Sequence, residues 1–132
     1  MRPLRATKNA VKVVVVDDSN TIRKSAETIL SRAGCEVITA VDGYDALAKI
    51  VAAKPDLILL DIMMPRLDGY QTLALVRSNA AFKSTPVVML SSKDGLFDKA
   101  KARTLGSNSY LNKPFSKQEL LAVHQQYAPG TP

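Results

Sequence analysis

The chain has 132 residues, 46% hydrophobic and 23% charged, with 18 lysines and arginines against 12 acidic residues and a net charge of +6. That is the composition of an ordinary globular protein, long enough for one domain with a substantial core. It excludes several classes: no apolar run reaches the roughly 18–20 residues of a membrane-spanning helix, the lone Cys35 cannot form an internal disulfide, and the lone His124 leaves no Cys/His cluster for zinc.

The start, MRPLRATKNA, holds Arg2, Arg5 and Lys8. It lacks the apolar segment of a secretory signal, so residues 1–10 are expected to be a basic tail. KVVVVD (12–17) reads as a buried strand. Ile22, Ala26, Ile29, Leu30 and Ala33 then recur at helical spacing, and Gly34 stops that helix. CEVITA (35–40) is a second strand, and 43–53 a helix ending before Pro55. DLILLD (56–61) is a third strand. A helix over 66–79 follows, weakened by Gly69. PVVMLSS (86–92) is a fourth strand and 94–105 a helix ending at Gly106. NSYLN (108–112) is a short fifth strand. The last helix, 116–127, opens with Ser116 and Glu119 in capping-box spacing, and 129–132 is a tail.

Continuously apolar strands belong to a sheet covered on both faces, and strand–helix alternation means parallel pairing. The expected fold is α/β: five βα units in a three-layer, doubly wound, five-stranded parallel sheet. Sites in such sheets form beyond the carboxyl ends of the strands, near the switch in strand order. The residues at those ends are Asp17 and Asp18 after strand one, Asp61 at strand three, Ser91 and Ser92 at strand four, and Lys113 after strand five.

Three carboxylates on one edge raise each other's pKa unless a cation is near. An all-oxygen set suits a hard cation, and Mg²⁺ commonly takes one or two carboxylates with waters and phosphate oxygens. Lys113 can neutralise a carboxylate at rest and hold a phosphoryl oxygen later. Ser91 can donate to the same group. Asp61 is then the nucleophile that forms an aspartyl phosphate.

VVVVDDS, DLILLDIMMPRLDGY, TPVVMLSS and YLNKPFS resemble the receiver domain of two-component response regulators, the CheY-like family. The resemblance runs from about residue 11 to 127, and the expected receiver domain is 11–128. DIMMPRLDGYQT with AFKSTPVVMLSSKDGLFDKAKA is further similar to the PilG-like regulators of type IV pilus twitching motility. The resemblance implies Asp61 as phosphoacceptor. It implies Asp17, Asp18, Asp61 and the backbone carbonyl of Met63 around Mg²⁺, with Asp18 as a direct ligand. It implies Ser91 and Lys113 on the phosphoryl group, a cis Lys113–Pro114 bond, and Tyr110 as an aromatic switch that turns inward when Ser91 moves. The implied partners are a sensor histidine kinase of the CheA-like kind, a target protein bound through the fourth helix, fifth strand and fifth helix, and a resetting phosphatase. The implied setting is bacterial cytoplasm, with motility control as the output. Ser91 departs from the family's common threonine, keeping the hydroxyl without the methyl.

Simpler roles compete residue by residue. Asp18 or Ser19 can cap the first helix, and Asp68–Gly69 reads as turn and helix-start chemistry. The four methionines read as packing, Cys35 as a buried inert thiol, and His124 as a surface or partly packed side chain. Three other functions stand as rivals. An aspartate-nucleophile phosphatase generally resembles D-x-D, and Met63 sits at its second acidic position. A non-phosphorylated pseudo-receiver usually lacks an acidic or lysine residue, and none is missing. Nucleic-acid binding is suggested by charge alone, without a recognition motif.

Overall fold

The computed structural model describes residues 10–92 and 98–127. Its strands are β1 (Lys12–Val16), β2 (Glu36–Ala40), β3 (Leu57–Asp61), β4 (Val87–Ser92) and β5 (Ser109–Lys113). Its helices are α1 (Asn20–Arg32), α2 (Gly43–Ala53), α3 (Gly69–Ser78), α4 (Lys99–Leu105) and α5 (Lys117–Tyr127), with a 3₁₀ turn at Ala80–Phe82. The strands form one sheet in the order β2-β1-β3-β4-β5, every pair parallel. The expected five-stranded doubly wound sheet is therefore present.

Strand alternation splits the core into two layers. Val14, Val16, Ile58, Leu60 and Met89 face Ala46, Ile50, Leu73, Val76 and Ala102 of α2, α3 and α4. Val13, Val15, Leu57, Leu59, Val88 and Leu90 face Ala26, Leu30 and Leu120 of α1 and α5. Each fully buried aliphatic side chain contributes roughly 1.5–3 kcal/mol. β1, β3 and β4 are the interior strands, covered on both faces, which is why their sequences run apolar without alternation.

The helix starts follow cap chemistry. Ser19 caps α1, its hydroxyl accepting from the Ile22 amide at 3.3 Å. Asp42 caps α2 and accepts from Asp45 N at 2.7 Å. Asp68 and Gln71 form a capping box on α3. Asp98 caps α4, and Ser116 with Glu119 closes α5 reciprocally at 2.8 and 3.0 Å. Capping resolves the choice between Asp18 and Ser19 in favour of the serine.

Several boundaries differ from those read in the sequence. α3 begins at Gly69, not at residue 66, because Arg66 has φ 68° and Asp68 is extended as the cap. β1 stops at Val16, although Asp17 N still donates to Ala40 O at 3.2 Å. β2, β3, β4 and β5 each start one residue later than expected, and β5 continues through Lys113. The 3₁₀ turn, capped by Asn79, was not anticipated. Positions 94–97 of the expected fourth helix, and both expected tails except Ala10, lie outside the described residues.

Candidate functional site

β1 and β3 are neighbours, and the chain leaves β1 toward β2 on one side and reaches β3 on the other. Their carboxyl ends flank the switch in strand order, where such sheets place a site. Asp17 follows β1 with no exposed surface, and Asp61 ends β3 at 2% exposure. Asp18 is exposed beside them. Carboxylate oxygens of Asp17, Asp18 and Asp61 lie within 4.8 Å of one another.

Lys113 enters from the end of β5. Its Nζ donates to Asp17 Oδ2 at 3.0 Å and to Asp61 Oδ1 at 2.9 Å. The other Asp17 oxygen accepts from Ser19 N at 2.8 Å, so the residue that starts α1 also holds the buried carboxylate. Arg23, one turn into α1, donates to the Asp17 carbonyl at 2.6 Å and to Asn20 Oδ1 at 3.0 Å.

One ammonium faces three carboxylates, and the titrations reflect it. Burial pushes Asp61 up to about 6 from 3.8; the Lys113 hydrogen bond pulls it down, and the charges of Asp17 and Asp18 add to the rise. Burial works against the Lys113 ammonium, but its hydrogen bonds to Asp61 and Asp17 prevail and raise its pKa. At neutral pH the site therefore holds an ionised Asp61 against a firmly charged lysine.

The donor set fits a hard divalent cation. Every side-chain candidate ligand is a carboxylate oxygen, the oxygens are close together, and the local charge is under-compensated. A depression lined by Asp18, Met63, Met64, Pro65 and Asp68 adjoins the exposed carboxylate. Met63 is 58% exposed there, so it is not packing as expected; Met64 and Met89 are buried. The β3–α3 loop turns through Arg66 at positive φ.

Ser91 sits at the end of β4 in the same row, paired in register with Asn112. Its hydroxyl donates to Asn112 Oδ1 at 2.9 Å. Tyr110 is 38% exposed on β5, with Lys99 Nζ 4.7 Å from its ring centroid. The Lys113–Pro114 peptide is cis. Cys35 is buried, and burial raises its thiol pKa; His124 is partly packed, and burial lowers its pKa. Arg23 and Asn112 escaped the sequence reading. An arginine on a helix and an asparagine in a strand carry no signal of their own.

A parallel, doubly wound sheet with a lysine-tied acidic cluster at its switch point defines the CheY-like class of α/β domain. The response regulator receiver domain family matches residues 13–125. Protein PilG of Pseudomonas aeruginosa is 64% identical over 122 residues, covering 92% of this chain and 90% of that protein. The alkaline phosphatase synthesis transcriptional regulatory protein PhoP of Bacillus subtilis is 43% identical over 84% of this chain, which spans 45% of PhoP. Among solved structures, the chemotaxis protein CheY4 of Vibrio cholerae superposes with a TM-score of 0.85 at 37% identity, over 89% of this chain and 98% of that one. The chain belongs to the response regulator receiver family, whose members are signalling proteins and not ordinary enzymes.

Proposed function

We propose that this chain is the phosphoacceptor of a two-component relay, switched by a phosphoryl group on Asp61. The observation that carries this is Lys113 Nζ bridging Asp17 and Asp61 at 3.0 and 2.9 Å inside an otherwise uncompensated acidic cluster. A structural lysine needs one partner; this one ties the candidate nucleophile to the candidate metal ligand. An Asp61 oxygen attacks the phosphorus of a phosphohistidine on a sensor kinase of the CheA-like kind. The new bond is O–P, the phosphohistidine P–N bond breaks, and the imidazole leaves with the electron pair.

Asp61, with its pKa of about 6, is ionised and nucleophilic at neutral pH. Lys113 stays charged and is already in place to hold a phosphoryl oxygen. Asp17, Asp18, Asp61 and the Met63 carbonyl are the groups assigned to Mg²⁺, which when bound supplies charge stabilisation to the transferring group. Ser91 must release Asn112 to donate to the phosphoryl oxygen, and Tyr110 follows it inward. The changed surface of α4, β5 and α5 then binds a target protein. The identity to PilG, with the motif resemblance, supports type IV pilus or chemotaxis-like motility as the output, in bacterial cytoplasm. A phosphatase or water resets the site.

The test is intact mass after incubation with Mg²⁺ and acetyl phosphate, wild type beside Asp61→Asn. The expected result is a Mg²⁺-dependent gain of one phosphoryl group on wild type alone. The same gain on Asp61→Asn overturns the assignment. No gain in either, with no Mg²⁺ binding, moves the function to a non-phosphorylated scaffold. Steady hydrolysis of added phosphoesters moves it to a phosphatase.

A further inference from the structure

The cleft where α4 meets the start of β5 is lined by Lys99, Arg103, Ser107, Asn108, Ser109 and Tyr110 and encloses about 50 Å³. We propose that it is a carboxylate-binding subsite, which takes an acidic side chain from a segment of the partner protein. This rests on the reading of α4, β5 and α5 as the partner face and names the chemistry that face recognises.

The lining is one-sided in charge. It contains two cations, three hydroxyls and an amide, and no acid. Among the described residues neither Lys99 nor Arg103 lies within 4.0 Å of a carboxylate. Both are exposed. Asp98, which precedes Lys99 in the chain, is engaged as the helix cap and accepts from Lys101 N at 2.9 Å. Lys101 points elsewhere, its Nζ 4.7 Å from the Tyr70 ring centroid.

Asn108 adds a donor by elimination. Its Oδ1 already accepts from Arg77 NH2 at 3.0 Å and from Val87 N at 2.9 Å. The amide nitrogen is what it has left to offer, and that group only donates. The Tyr110 ring and the aliphatic stems of Lys99 and Arg103 supply an apolar wall beside these donors. Lys99 rests over that ring, which keeps its ammonium at the cleft.

Charge selects the occupant. Two cations, hydroxyls and an amide nitrogen around a small cleft match one oxyanion head. A carboxylate projecting from a peptide, with the rest of that peptide lying across the Tyr110 wall, fits this arrangement.

The test is amide chemical-shift titration of the full chain, both unphosphorylated and held loaded with Mg²⁺ and acetyl phosphate. The probe is a blocked hexapeptide of four glutamates around two leucines; the control replaces glutamate by glutamine. The expected shifts centre on residues 99–110 and weaken about fivefold with the control peptide and with the Lys99→Gln/Arg103→Gln double variant, as two exposed ion pairs of about 0.5 kcal/mol each imply. They also weaken on raising NaCl from roughly 0.05 to 0.5 M. Equal binding of both peptides, shifts centred elsewhere, or no shifts overturn the subsite. Inorganic phosphate saturating the same amides at lower concentration than the acidic peptide reassigns it to free oxyanions. A chain that takes no phosphoryl group but gives these shifts loses the relay and keeps the subsite. One that is phosphorylated normally without them loses only the subsite.

Discussion

Lys113 decides how three carboxylates share one edge of the sheet. Its side chain is 13% exposed, and its two partners are 0% and 3% exposed, so the contacts are poorly screened. Breaking a buried ion pair from one side leaves a charge uncompensated and typically costs 3–5 kcal/mol. Lys113→Ala is therefore expected to lose about 3 kcal/mol in urea unfolding without divalent cation, and to recover part of it in Mg²⁺. An equal loss with and without Mg²⁺ would mean that the lysine acts only by packing. Asp61→Asn changes the balance the other way. It removes one of three like charges and keeps an oxygen for Lys113, so the metal-free variant is expected to be more stable than wild type by about 2 kcal/mol at pH 7.5. A variant less stable than wild type would contradict the charge argument.

At the scale of elements, two glycines show what holds the site in register. Gly69 opens α3 against the end of β3: an added Cβ would meet the Asp61 carbonyl oxygen, with Ile62 Cα at 2.7 Å. Those are backbone atoms and cannot step aside. Gly69→Ala is expected to cost about 2–3 kcal/mol and, in the folded remainder, to slow phosphoryl loading by displacing Asp61. Gly34 instead sits at φ 94° with nothing within 4 Å of the added carbon. Gly34→Ala should cost only the backbone term, about 1–2 kcal/mol, with loading unchanged. Urea unfolding with the mass assay separates the two; normal loading by Gly69→Ala would remove Gly69 from any role at the site. Such effects also mark what the sequence makes legible. The βα alternation could be read because burial on both faces forces unbroken apolar runs. The start of α3 was misplaced because Arg66 takes a positive φ that nothing in its identity demands. The Arg77 clamp was invisible for the same reason. That guanidinium donates to Gly106 O at 2.9 Å, Phe82 O at 2.7 Å and Asn108 Oδ1 at 3.0 Å, joining α3, the 3₁₀ turn and the approach to β5. Carbonyl acceptors leave no trace in a sequence.

Over the whole molecule, the carboxyl edge of the sheet could be foreseen because parallel order delivers every strand end to the same side. Asp17, Asp18, Asp61 and Lys113 met there as their positions implied. The Ser91–Asn112 bond did not follow, since it depends on the register of two strands and a rotamer. The cost of assembling that edge appears in the pH dependence of folding. Asp61 titrates near 6 in the folded chain against 3.8 for the unperturbed group. Between those values the folded chain keeps a proton that the unfolded chain has released, so stability falls as pH rises from about 4 to 6. Below that window both states are protonated and the penalty is absent; above it the penalty is full, on the order of 2–3 kcal/mol. His124 acts in the opposite sense, because its lowered pKa makes the folded chain bind fewer protons than the unfolded one as it titrates. The clean measurement is thus a difference: urea unfolding of wild type and Asp61→Asn from pH 4 to 8, with and without Mg²⁺. His124 cancels between the two chains. Without Mg²⁺ the wild type should lose ground to the variant across the window and run parallel to it above pH 7. With 10 mM Mg²⁺ the gap above pH 6 should shrink, since a ligand bound only by the folded state stabilises it by mass action. A difference that is flat with pH would show that Asp61 is not held in the charged cluster seen here.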